Sequence, residues 1–330
     1  MATNQSEGNK DRKHNFCVIS SRGYVVKVLA LYQSLKKHSQ HYFLWICCTD
    51  DMTYNLLSKI NMEFVKLIKV NEIEDKRLLA VKKERKINEY CWTLKAPFIK
   101  HVLTTYNLKS VIYLDGDLFF FSDPSILFED WGEDSIYLCP QRDLHWVENK
   151  YGKYQAGLIG FKNDKYGLQS VTWWHRRCLE YCGDIEKDGK FGDQKYLDQI
   201  PEKYPYVKVS SNAGVDAAPW NCVYNNQFKV TKKKDRVFIE SDRLIVFHFA
   251  CLSILNKDEF DLWSLHKLAI DKIILNEIYH PYLKTLREGI TTISKIKNIN
   301  LSLFLSEVDG SQVKTYYSLS SQSASHNEKY

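Results

Sequence analysis

Two carboxylates, Asp115 and Asp117, close the apolar run 111–114 in the segment SVIYLDGDLFFF. Strand side chains alternate, so positions i and i+2 project the same way and can share one pocket, while Gly116 lets the backbone approach a ligand. Two such carboxylates repel unless a cation joins them. Magnesium, or manganese with its similar taste for oxygen ligands, is typically held by one or two carboxylates and completed by substrate phosphates. The alternative is a simple turn cap, a common duty of Asp. The context favours chemistry: the preceding run is apolar and Ser122-Asp123-Pro124 then turns the chain at a strand end, where α/β sheets bind ligands.

A histidine could complete the set. His248 sits in the apolar run LIVFHFAC at 244–251. Histidines in such runs are more often satisfied core residues than ligands. If His248 shares the pocket of Asp115 and Asp117, the Asp, Asp, His set suits manganese and leaves positions for diphosphate oxygens. His175, Cys178 and Cys182 could in principle hold zinc, but their spacing is not that of common structural sites, and buried thiols are the better reading.

The elements that must position these residues alternate strand and helix, the pattern of an α/β fold with a mixed, mostly parallel central sheet flanked by helices. Strands are expected at 16–20, 43–48, 64–70, 111–114, 135–139, 154–162 and 244–251, and helices at 24–38, 53–60, 92–106 and 169–182. Residues 72–86 read as a charged segment, and Gly192-Asp193-Gln194 as a loop entering a helix. Residues 255–289 read as a helical extension broken at Pro281. The expected organisation is a disordered 1–13, a catalytic domain at 14–252, a C-terminal helical extension at 253–308 and a disordered polar tail at 309–330.

The 330 residues are 44% hydrophobic and 26% charged, enough to bury a large core. No run is long enough to span a bilayer, and residues 1–14 lack the apolar segment of a secretory signal, so a cytoplasmic protein is expected. Nine scattered cysteines imply no disulfide framework. The net charge of +6 is spread among acids rather than striped, which argues against nucleic acid. Apolar residues Trp263, Leu268, Ile270, Ile273, Ile274, Ile278, Tyr282 and Leu286, interleaved with Lys267, Lys272, Lys284 and Arg287, could contact an anionic membrane at its inner face. Packing on the core is the commoner use of that spacing.

Leu114-Asp115-Gly116-Asp117 after an apolar strand, Ala156-Gly157 opening a later one, Asp193-Gln194 at a helix start and Phe247-His248-Phe249 resemble the retaining GT-A glycosyltransferases over roughly residues 14–252. They are similar to glycosyltransferase family 8 and the broader nucleotide-diphospho-sugar transferases. The resemblance implies a Rossmann-like GT-A fold, with Asp115, Asp117 and His248 as ligands of Mn2+ or Mg2+ and Lys95 contacting the sugar nucleotide. It places Tyr24 and Asp50 at the nucleobase, and Asp193 and Gln194 at the transferred sugar. Ala250-Cys251 stand where the family has glycine and a diphosphate-binding lysine, and Gln155 replaces an asparagine, which points to a divergent branch. Ala218-Pro219-Trp220-Asn221 looks like its acceptor-side segment.

The implied activity is transfer of a hexose from a nucleotide-diphosphate donor, UDP-sugar above all, to a glycan or glycolipid acceptor in surface-polysaccharide or lipopolysaccharide synthesis. Asp143, Asp193 or Gln194 would face the positive sugar of the transition state. Two other classes stay in view. A sugar-nucleotide-forming nucleotidyltransferase would show a glycine-rich phosphate loop after the first strand, where Ser20-Ser21-Arg22-Gly23 stands. A non-catalytic carbohydrate-binding module would suit the 14% aromatic content.

Overall fold

The protein is seen in a computed structural model that describes residues 14–224, 228–306, 308 and 310–320. In chain order the first half holds β1 (His14–Ser20), α1 (Val25–His38), β2 (Tyr42–Cys48), α2 (Asp51–Leu57), β3 (Val65–Lys69), α3 (Lys76–Lys82), α4 (Ile87–Thr105), β4 (Ser110–Leu114), β5 (Leu118–Phe120), α5 (Ser125–Trp131), β6 (Ile136–Pro140), α6 (His145–Tyr151), β7 (Tyr154–Lys162) and α7 (Lys165–Glu180). Then come α8 (Ile200–Lys203), β8 (Val207–Val209), β9 (Val215–Ala217), β10 (Val230–Lys233), β11 (Arg236–Ile239), β12 (Asp242–Arg243), β13 (Val246–His248), β14 (Ser253–Ile254), β15 (Glu259–Asp261), α9 (Lys272–Ile274), α10 (His280–Ser294) and β16 (Tyr316–Ser318).

Seven strands form the central sheet in the order β3-β2-β1-β4-β7-β6-β8. β7 alone runs antiparallel to its neighbours, so the sheet is mixed and mostly parallel, as expected. Strand alternation divides the interior in two. Phe16, Val18, Ile112 and Leu114 face α1 and α10, while Cys17, Ile19, Val111 and Tyr113 face α4 and α7. With both faces covered, the inner strands are mostly apolar, which is why they stand out in the sequence, while the edge strands β3 and β8 are mostly half-buried and carry lysines.

A second sheet, β5-β13-β9, holds His248 and begins just after Asp117. β13 pairs antiparallel with β5, His248 opposite Leu118, and parallel with β9. Between Val246 and Phe247 the register shifts, pairing Val246 with Val215 but Phe247 with Ala217, and leaving Asp216 as the extra residue of a bulge.

Several expectations need correction. The charged segment 72–86 contains α3, capped by Asp75, whose carboxylate accepts from the amides of Arg77 and Leu78. α4 starts at Ile87 rather than 92, because Glu89 reaches back to the Lys86 amide at 2.9 Å. The run 244–251 is strand only at Val246–His248.

Residues 255–271 are not helical, and β14 and β15 flank or lie within them. The following helix, capped by Asp271, is not broken at Pro281. It passes through a π-helical turn, Leu275–Tyr279, which accommodates a residue lacking an N–H and crowding the carbonyl four positions back. Of the residues weighed for membrane contact, Ile274, Ile278, Tyr282 and Leu286 pack into the core beside α1, where Tyr282 stacks on Phe249 at 3.9 Å, and Ile273 is 39% exposed. Among the described residues no helix is long and apolar enough to cross a membrane. Within the expected tail, Tyr316–Ser318 pair with Glu259–Asp261, while 1–13 and 321–330 lie outside the described residues.

Candidate metal and substrate site

β4 ends at Leu114, and residues 115–117 turn into β5. The turn, rather than simple strand alternation, brings the two carboxylates together. The Asp115 amide donates to the Gly157 carbonyl at 2.7 Å, tying the turn to β7. Asp115 faces α4 and Asp117 faces α1. His248, at the end of β13, closes the set: one ligand atom from each of Asp115, Asp117 and His248 lies within 4.8 Å of the others. Gly116 is packed beneath α1, where a Cβ would meet Val28 Cγ2 at 2.9 Å and Tyr24 Cδ1 at 3.1 Å.

Each of the three side chains is held by neighbours. Asp115 accepts from the Tyr113 hydroxyl and the Lys95 ammonium, both at 3.0 Å. Lys95 also pairs with Asp193 at 3.1 Å and donates to the Ala156 carbonyl at 3.1 Å. Asp117 has the buried Lys27 at 3.6 Å, the Tyr24 hydroxyl at 3.5 Å and Nε2 of His248 at 3.2 Å. Nδ1 of His248 lies 3.3 Å from Oδ1 of Asp216, which is completely buried.

Burial opposes charge on all of these groups, and their partners decide the outcome. Burial works against ionisation of Asp117, but Lys27 and His248 hold its carboxyl below the usual range. Burial also works against the His248 cation, yet Asp117 and Asp216 raise it to about 10. Lys95 is likewise held above its ordinary value by Asp115 and Asp193 despite its burial. Burial pushes Asp193 up to about 6, with Lys95 pulling against it.

Asp115, Asp117, Asp193 and Asp216 carry four formal negative charges against two on Lys27 and Lys95. With a neutral His248, the deficit equals the charge of one divalent cation. Two carboxylate oxygens and an imidazole nitrogen are donors that Mg2+ or Mn2+ accepts, so the residues fit such an ion.

The triad opens into a cavity of about 690 Å³. Its walls are aromatic, with Tyr24, Trp92, Trp146, Tyr151, Phe191 and Trp220 among them, and Lys95, Gly116, Asp143 and Gln194 supply polar lining. A recess of about 100 Å³ shares Lys95, Asp115, Gln194 and His248 with it and adds Asp193. Gln194 donates to Gln141 Oε1 at 3.2 Å. Asn221, in the Ala218-Pro219-Trp220-Asn221 segment, donates to the Gln141 and Arg142 carbonyls at 3.2 and 2.6 Å, fixing the loop that carries Asp143.

Asp50 was expected at the nucleobase. Its carboxylate caps α2 through the Thr53 amide at 2.9 Å and is not among the residues lining the cavity. Sequence reasoning missed Lys27, Tyr113 and Asp216. Lys27 had a signal, a lone cation inside the apolar run VVKVLALY. Asp216 had a weaker one, an acid between Val215 and Ala217.

No family model matches the chain. Among solved structures, it overlaps the galactosyltransferase LgtC in complex with donor and acceptor sugar analogs at a TM-score of 0.49 and 10% identity, over 72% of this chain and 87% of that one. Two Bacillus subtilis (strain 168) proteins, YfnD and YfnF, are each 32% identical to it, over 286 and 290 residues. Both matches cover 84% of this chain, with 90% of YfnD and 94% of YfnF. At that identity and coverage, the chain belongs to the same protein family as YfnD and YfnF.

Proposed function

We propose that this chain is a metal-dependent glycosyltransferase of the GT-A type, akin to family 8. It would transfer a hexose from a UDP-sugar or similar donor to a glycan or glycolipid, with retention, in surface-polysaccharide assembly. The observation that carries this reading is the meeting of Asp115, Asp117 and His248 in the lining of an aromatic cavity whose 690 Å³ falls in the usual range for small-molecule sites.

Bound between these residues, Mn2+ or Mg2+ would supply Lewis acidity for the departing diphosphate. The remaining work belongs to the chain. Lys95 holds Asp115 in place and sets a fixed positive charge beside the recess. Asp193, kept in position by Lys95, and the Gln194 carboxamide present oxygens where the transferred sugar gains positive charge, and Asp143 lines the wider cavity. The aromatic walls offer stacking faces to a nucleobase and to sugar rings and exclude water from the reacting centre. Among the described residues the carboxylates at the triad face Lys27, Lys95 or His248, which leaves the departing phosphate as the natural acceptor of the proton from the attacking hydroxyl.

The test is a screen of nucleotide sugars with purified protein and Mn2+, reading release of nucleoside diphosphate, with Asp117→Ala as control. Turnover of one donor that the variant loses supports the proposal. Pyrophosphate formation from a sugar 1-phosphate and a nucleoside triphosphate, without donor turnover, would overturn it.

A further inference from the structure

We propose that Asp216 is a positioning residue of this site: its carboxylate accepts a hydrogen bond from Nδ1–H of His248 and so turns the Nε2 lone pair toward an ion held by Asp115 and Asp117. The inference rests on the metal reading given above. It adds a residue that neither the Asp-x-Asp pattern nor the late histidine points to.

Four observations converge on it. Asp216 is fully buried, and among the described residues neither of its oxygens has a hydrogen-bond partner; the charged or titratable group beside it is Nδ1 of His248, 3.3 Å away and itself unpartnered. A carboxylate so isolated is costly to bury unless it serves a specific partner. Its backbone is left-handed at φ 57°, in the bulge between β9 and β13, and bulges re-aim side chains beside active sites. The ring itself has little freedom. Trp220 meets it edge to face at 5.7 Å, and on the β7 side Gly157 leaves room where any Cβ would lie 2.6 Å from Cε1.

The two ring nitrogens therefore face two different carboxylates. Nε2 points to Asp117 at 3.2 Å and Nδ1 to Asp216. Asp117 and Asp115 adjoin the cavity, whereas Asp216 does not line it. Asp216 thus serves as the outer partner, and it fixes which nitrogen carries the proton when the ion is bound. Carboxylates in that role raise ligand basicity and lock ring orientation.

The experiment uses the full-length protein. Mn2+ binding is titrated by electron paramagnetic resonance for wild type and Asp216→Asn, with circular dichroism and melting temperature as folding controls. The expected result is a roughly 10- to 100-fold weaker Mn2+ affinity in a folded variant. A second measurement needs no variant: with Mg2+ bound, nitrogen-15 NMR of histidine-labelled wild type should show His248 protonated on Nδ1. Unchanged Mn2+ affinity in a folded Asp216→Asn, even with a lower melting temperature, overturns the proposal, as does an Nε2–H ring in the Mg2+ complex. Wild type that binds neither ion sinks the metal reading itself, and this inference with it.

Discussion

Gly157 offers a sharp test because it touches the site through space it leaves empty. It lies in β7, and its φ is not in the left-handed region, so alanine strains no backbone there. The added Cβ would meet His248 Cε1 at 2.6 Å, His248 Nδ1 at 3.0 Å and Asp115 Oδ2 at 3.1 Å. Reaching an ordinary contact of about 3.4 Å or more requires the ring to retreat by roughly 0.8 Å. A shift of that size changes the contacts of 3.2 and 3.3 Å to Asp117 and Asp216, which have little room before they leave hydrogen-bond reach. Overpacking of this kind costs about 1–3 kcal/mol in stability. Loss of ring alignment should weaken Mn2+ affinity about 10- to 100-fold, equivalent to about 1.4–2.7 kcal/mol. Mn2+ titration by electron paramagnetic resonance and thermal melting would be run on Gly157→Ala beside Gly23→Ala, whose Cβ meets nothing within 4 Å. A Gly157→Ala protein that binds Mn2+ as tightly as wild type would refute the view that His248 and Asp115 are held by the empty space at Gly157.

Two further outcomes are expected. Lys95→Met removes the shared cation of Asp115 and Asp193 and leaves the buried Asp193 and the partly exposed Asp115 without it; denaturant titration should show a loss of about 3 kcal/mol, and a loss below about 1 kcal/mol would contradict the network. Because His248 is protonated up to about pH 10 in the metal-free protein, Mn2+ binding at pH 7–8 should release about one proton and strengthen about tenfold per pH unit, read by calorimetry in buffers of different ionisation enthalpy; zero release contradicts the protonated ring. In the metal-free protein the same upward shift from 6.5 contributes stability that is full below about pH 6.5 and fades as pH rises through 10.

The inner strands of the central sheet were legible because both faces are covered, and β7 was read at its full extent, Tyr154–Lys162, whereas the half-buried edge strand β8 was not read at all. The helix starts were blurred because capping by Asp75, Glu89 and Asp164 depends on single side-chain contacts rather than on periodicity. Asp115, Asp117 and His248 could be named as candidates, but their meeting depends on the pairing of β5 with β13, which no local pattern specifies. The bulge that aims Asp216 is a mismatch between distant strands and leaves no periodic trace. Asp50 shows that an acid at a strand end has two uses, and its carboxylate caps a helix.

The small sheet β5-β13-β9 has a consequence for how the chain reaches its native state. Asp117 precedes its first strand, Asp216 lies in another and His248 ends the third, so the ion position draws on stretches far apart in the sequence. Long-range pairings of this sort pay loop-closure entropy before any contact rewards it, which places them among the late events of folding. An ion that binds only the assembled arrangement has no foothold on the unfolded chain, and it adds stability by mass action, about 2.7 kcal/mol at a concentration 100 times its Kd. Newly made chains would then mature in two stages, closure of the large sheet and then capture of the ion. Depletion of divalent cations would first destabilise the segment around β9 and β13, leaving the parallel core standing.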